Sequence, residues 1–175
     1  SDVKVYFPKN NKGDYKVERH RIMIPTLKNV RLKEYGYIKV GAKVISGTVS
    51  KKADRYYVSV IIDVDMPTIV SKNTNEGIGI DLGLKDFAIC SNGEKYKNIN
   101  KTQKIRKIEK KLKREQKKLS RKYENLKKKG GTATKSNVKK QIVKVQKLHH
   151  KLNNIRTDYV NKTISNIINQ KPKFI

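Results

Sequence analysis

The residue best placed to do chemistry is Asp81. It ends the run Gly77-Ile78-Gly79-Ile80-Asp81, where apolar residues lead into a single acid, and Gly83 follows as a turn before a second apolar run, Phe87–Ser91. A carboxylate inside an apolar strand is costly unless it is paired or bound to a metal. The spacing supports two readings. Asp81 serves a two-metal nuclease, in which Mg²⁺ takes oxygen ligands and activates water, or it caps the turn through its side chain. Asp86 lies in the turn and reads as structural. The other titratable candidates are few. His20, His149 and His150 are scattered or adjacent and supply no zinc ligand set. Cys90 is the one cysteine, beside Ala88 and Ile89, and reads as buried and inert.

The second chemistry is charge. Lys and Arg number 43 against 15 Asp and Glu in 175 residues, a formal net charge of +28. That excess excludes a metabolic enzyme of balanced surface and points to a polyanion, nucleic acid before membrane. One cysteine excludes a disulfide framework, no apolar run is long enough to span a membrane, and no secretory leader opens the sequence. The expected setting is the cytoplasm, at the nucleoid. The excess is uneven: residues 1–100 hold 18 cations and 11 acids, residues 101–175 hold 25 and 4. Between Lys101 and Lys129, 15 cations face only Glu109, Glu115 and Glu124. Like charges at i,i+4 destabilise a helix, so a helix this cationic is expected to lie along phosphates. Lys110, Lys111, Lys113, Arg114, Lys117, Lys118, Arg121 and Lys122 are the candidate contacts. His149 and Arg156, seven apart, share a face of the following helix and join them, with packing as the alternative.

The elements that carry these groups differ before and after residue 100. The first part is rich in turns and alternation. Val3–Phe7, Lys16–Ile24, Asn29–Glu34, Val44–Ser50 and Tyr56–Asp63 read as strands of a small antiparallel barrel or sandwich, with breaks at Lys12-Gly13, Pro25, Tyr35-Gly36 and Ala53-Asp54. Tyr56 and Tyr57 alternate sides of one strand; both read as core, with base stacking open to one of them. Residues 71–76 read as a linker, and a new module begins at Gly77 with strands up to about Lys97, the Asn92-Gly93 pair signalling a hairpin. The second part is a helical hairpin over about 101–168. Ile105, Ile108, Leu112, Leu119, Tyr123 and Leu126 step at heptad spacing, and so do Val138, Ile142, Val145, Leu152, Ile155 and Tyr159. Gly130-Gly131 ends the first helix, and Ser136 or Asn137 is expected to cap the second.

The string Gly79-Ile80-Asp81-Leu82-Gly83-Leu84-Lys85-Asp86-Phe87-Ala88 resembles the first RuvC motif of TnpB proteins. These are transposon-encoded RNA-guided DNA endonucleases, long classed as insertion-sequence transposases and related to type V CRISPR effectors. Other segments are similar to the family in order along the chain: Ile24–Lys33 (with Asn29 where glycine is usual), Ser46–Ser50, Arg55–Val60, Leu119–Lys122 and Leu148–Tyr159, while Asn161 departs from a common histidine. The resemblance implies an α+β chain. Residues 1–70 would be part of a wedge-like β-barrel that grips guide RNA, and residues 77–175 the start of an RNase H-like (RuvC) domain carrying the basic hairpin. It implies guide RNA and DNA as partners, with no membrane and no small-molecule substrate. It makes Asp81 a catalytic metal ligand, with Mg²⁺ as cofactor of the complete nuclease and no zinc held by this chain. The sequence ends before the positions of the second and third carboxylates, so cleavage by this chain alone is not expected. The other reading is a non-catalytic basic RNA- or DNA-binding protein, ribosomal-like or a repressor derived from such a nuclease.

Overall fold

The alternating segments before residue 65 become six strands in the computed structural model, which describes residues 3–7, 15–34, 36–65, 76–128 and 130–175. The chain divides into two units, Ser1–Ile69 and Val70–Ile175. In the first, β1 (Val3–Phe7), β5 (Lys43–Lys52) and β6 (Arg55–Asp63) form one antiparallel sheet in the order β1-β5-β6. The short strands β2 (Lys16–Val17), β3 (Arg21–Ile24) and β4 (Lys28–Arg31) form a second. One core joins them: Val17, Ile22, Ile24 and Val44 are buried, with Phe7, Val49, Val58, Val60 and Ile62 packed against them.

Among the described residues the strands do not close into a barrel, because each three-stranded sheet keeps two edges. Closure requires every strand to have two neighbours. The expected single strand Lys16–Ile24 instead folds back on itself, with Glu18 N–H donating to the Arg21 carbonyl at 2.9 Å. Strand β4 starts at Lys28, whose φ of 55° makes it, rather than Asn29, the left-handed residue of the turn after Pro25. Tyr56, expected in the core, is 71% exposed because it lies beyond Val58, beside the turn that closes the β5–β6 hairpin. The linker expected at 71–76 lies outside the described residues except for Glu76, as do Lys12-Gly13 and Tyr35.

The second unit opens with an antiparallel meander of β7 (Ile80–Leu82), β8 (Asp86–Cys90) and β9 (Lys95–Lys97). A 3-10 turn, Ile99–Lys101, capped by Asn98, leads into α1 (Gln103–Lys127), where Thr102 caps by accepting from Ile105 N–H. The return helix α2 (Lys135–Asn169) is capped by Thr134, two residues ahead of the expected cap, through Asn137 N–H. Between the helices Gly131 admits no side chain: a Cβ there would stand 1.8 Å from the Asn125 carbonyl oxygen. Ala133 N–H donates to the Asn125 side chain at 2.6 Å and closes the turn.

The hairpin seam buries Ile105, Leu112, Val145 and Leu152, with Ile108, Leu119, Leu148 and Ile155 beside them. Three positions differ from the heptad reading. Tyr123 is 41% exposed and lies outside the seam cluster. Gln141, not Ile142, is the buried residue of its layer, at 3% exposed. Tyr159 leaves the seam for the sheet: its hydroxyl donates to the Lys97 carbonyl at 2.6 Å and its ring meets Phe87 edge-on, centroids 5.6 Å apart. Farther along α2, Ile167 packs with Ile78 and Cys90. The long helix therefore serves two cores, one along α1 and one under the meander.

Candidate nucleic-acid interface

With its apolar stripe turned to α2, helix α1 must place its cations on the remaining arc, and they separate into two grooves. The first is a groove of about 710 Å³ between the helices, walled on one side by Lys111, Lys118, Arg121 and Lys122 of α1. Lys144 and Lys147 of α2 line it with them, and Gln141, Glu115 and Leu148 complete it. The second, about 570 Å³, runs along α1 alone and is lined by Lys107, Lys110, Lys111, Lys113, Arg114 and Lys117. Lys111 belongs to both. The eight α1 cations singled out from sequence thus all line a groove, but not the same one.

Lys107, Lys144 and Lys147 were not singled out by sequence reasoning. For the two α2 lysines a signal existed. Each immediately precedes a residue of the seam, Val145 or Leu148, the position that borders the partner helix in a two-helix pair. Glu115 is the one acid lining the interhelical groove. Gln141 Nε2 donates to its carboxylate at 2.7 Å and to its backbone carbonyl at 3.0 Å, and Lys118 Nζ stands 3.0 Å away. The Gln141 amide first, and Lys118 second, hold the Glu115 carboxyl below the ordinary glutamate value. Even with that carboxylate fully charged, six cations surround it and the groove remains strongly positive.

His149 and Arg156 line neither groove. Both turn toward α1: His149 Nε2 lies 3.4 Å from Gln116 Nε2, and the Arg156 guanidinium bonds Glu109 at 2.8 Å and Asn100 Oδ1 at 2.8 Å. They share a face, as their spacing requires, and here that face ties the helices and the 3-10 turn together.

Asp81 sits at the centre of β7, opposite Ile89 of β8. Alternation sends its neighbours Ile80 and Cys90 to the cluster under α2, and Asp81 itself is exposed. The burial cost expected for an acid in an apolar strand therefore does not arise. Nor does Asp81 cap the following turn, which is held by Asn98 Nδ2 on the Leu84 carbonyl at 2.9 Å and Lys101 Nζ on the Lys85 carbonyl at 3.2 Å. Among the described residues no three His, Cys, Asp or Glu side chains come together to hold a metal. One exposed carboxylate does not fit a two-metal centre, and these residues alone give no metal-assisted step.

Around the meander the titratable groups serve the scaffold. Cys90 is 3% exposed, and burial, then the Glu94 charge, pushes its thiol up. Tyr96 is pushed up to about 12 by burial and by its hydrogen bond to Glu94, 2.8 Å away. Gln170 links Glu94 and Asn92 at 2.7 and 2.8 Å, which fastens the end of α2 to the β8–β9 turn. Among the described residues no helix is long and apolar enough to cross a membrane.

Comparison with curated proteins gives no match. A family model does match: the one for OrfB_IS605, described as a probable transposase, covers residues 58–174. The match runs from the middle of β6 through the meander, Asp81 and both helices of the cationic hairpin to Phe174. With more than half of its length so matched, the chain belongs to the OrfB_IS605 probable transposase family.

Proposed function

We propose that this transposase-family chain is the nucleic-acid-binding part of a transposon-associated RNA-guided DNA endonuclease, and that its helical hairpin holds the nucleic acid by its phosphates. The observation that carries the reading is the interhelical groove, with cations from both helices around one carboxylate. A polyanion laid there releases the counterions those cations hold, a sequence-independent gain that falls steeply with salt. Guide RNA and target DNA are the partners in this reading. The RNase H-like assignment is supported by the antiparallel β7-β8-β9 meander followed by the long helices. After α2 the chain also returns beside β7, where Ile78 N–H donates to the Phe174 carbonyl at 3.0 Å. Asp81 would contribute to Mg²⁺-dependent cleavage only with carboxylates that the described residues do not bring to it. That same isolation of Asp81 favours the second reading, a non-catalytic basic binding protein of the same descent.

The test is fluorescence anisotropy of the whole chain with duplex and single-stranded probes, titrated between about 50 and 200 mM salt. Gln at Lys110, Lys111, Lys113, Arg114, Lys117 and Lys118 should weaken binding and flatten its salt dependence, while Asp81→Ala leaves both unchanged. A slope untouched by the six substitutions would remove the hairpin from the interface. Mg²⁺-dependent nicking by the wild-type chain, lost in Asp81→Ala, would show that a second chain completes the site.

A further inference from the structure

The turn between β7 and β8 carries two leucines that no core takes up. Leu84 is 88% exposed and Leu82 70%, and neither belongs to the clusters that pack the described residues. The backbone under them is nonetheless held. Asn98 Nδ2 donates to the Leu84 carbonyl at 2.9 Å, and Lys101 Nζ to the Lys85 carbonyl at 3.2 Å. Gly83 N–H donates to the Phe87 carbonyl at 3.4 Å, and a Cβ on Gly83 would crowd the Asp86 carbonyl oxygen at 3.2 Å. Phe87 is braced edge-on by Tyr159. The chain is therefore fixed on both sides of Leu84 while the side chain itself stays in water.

Charge and size decide what such a tip can meet. Lys85, Lys97 and Lys101 stand at this end of the meander, with Asp81 and Asp86. Asp86 lies opposite Lys97 in the β8–β9 register, which leaves Lys85 and Lys101 against Asp81. A stable protein interface takes about 800 Å² from each partner, far more than two leucines ringed by charge supply. A base step of DNA takes a single aliphatic wedge between its pairs, with cations for the flanking phosphates.

We propose that Leu84, with Leu82 beside it, is a wedge that enters a base step of duplex DNA and unstacks it next to Asp81. Asn98 is its positioning residue, since its amide holds the Leu84 carbonyl and keeps the tip rigid. The inference rests on the reading above that the chain binds DNA. It adds a local distortion of the bases, which phosphate contacts along the hairpin do not produce.

The experiment uses the whole chain with duplexes of about 16 base pairs carrying 2-aminopurine, which brightens when unstacked. The probe sits in a single central TA step, the kind that opens most readily, or in an A-tract. Wild type should raise the emission by about two-fold or more at the TA step and by less in the A-tract. Leu84→Ser should abolish the rise while affinity stays within about five-fold, because phosphates carry most of the binding. Asn98→Asp keeps the acceptor for Asn100 N–H but loses the donor to Leu84, and should reduce the rise. Ile168→Ser, which removes an apolar side chain 54% exposed on α2, should leave it intact. Permanganate, which oxidises thymines out of the stack, should mark the same step under the wild-type chain, whatever the variants do to folding. A rise retained in Leu84→Ser, or lost equally in Ile168→Ser, would overturn the wedge. DNA bound with neither rise nor permanganate mark would do so too, and would leave the leucines to a protein partner. Those results leave the hairpin reading standing. Its own failure is separate: a salt slope unmoved by the Gln substitutions, with the rise still present. No DNA binding at all would overturn both.

Discussion

The two grooves make opposite predictions about which lysines a DNA duplex touches, and the salt slope can tell them apart. Lys144 and Lys147 line only the interhelical groove, whereas Lys113 and Lys117 line only the outer one. Each phosphate neutralised contributes about −0.9 to the slope of log K against log salt for duplex DNA. If all six cations of the interhelical groove engage, the slope is about −5.4, and affinity falls roughly 2,000-fold between about 50 and 200 mM salt. Replacing Lys144 and Lys147 by Gln should bring the slope to about −3.6 and the fall to roughly 150-fold. The Lys113→Gln, Lys117→Gln pair, equal in charge removed, should leave the slope within about half a unit of wild type. Anisotropy titrations of one labelled duplex at four or so salt concentrations give the three slopes directly. Equal shifts from the two pairs would mean a diffuse cationic surface. A shift from the outer pair alone would refute the interhelical groove as the duplex path.

Two stability predictions follow from the hairpin. Ile105 is fully buried in the seam, so Ile105→Ala should cost about 2–5 kcal/mol in urea denaturation followed by helical circular dichroism. Ile164→Ala, at 47% exposed on α2, should stay within about 0.5 kcal/mol; equal effects would mean the seam is not what holds the helices. Glu115 gives a pH dependence of definite sign. Its carboxyl is held below the ordinary 4.5 by Gln141 and then Lys118, so the folded chain binds that proton less readily than the unfolded one. The contribution is complete above pH 4.5 and is lost as pH falls through the lower folded value. Thermal melts of wild type and Gln141→Leu should therefore converge as pH drops from about 6 to about 3. A gap that stays constant would show that the amide does not stabilise the charged carboxyl.

How much was legible in the sequence depended on how local the information was. The helices were, because apolar periodicity over 25 and 35 residues leaves little room for another element. The open sheets were not, since closure depends on which distant strands pair. The turn that splits β2 from β3 is made of Glu18-Arg19-His20, with no glycine or proline to announce it. Asp81 was found by its motif, but its exposure depends on where α2 lays its far end. Ile167 covers the Ile78–Cys90 side of the meander, and no sequence period specifies that choice.

The groove shows the same limit at one residue. A heptad reading admits apolar residues to the seam, so it selects Ile142 and passes over its neighbour. The folded hairpin buries Gln141 instead, because Glu115 across the seam presents both a carbonyl and a carboxylate to its amide. A buried polar layer of this kind fixes register better than apolar layers do. Sliding α2 by one heptad would still set valine and leucine against isoleucine and leucine, but would strand the Gln141 amide without its partner. Register in turn decides which α2 lysines stand across from Lys118 and Lys122. One neutral amide thus sets the charge lining of the groove, and the family's basic hairpin has to be read as a pair of helices in register, since neither helix alone contains that site.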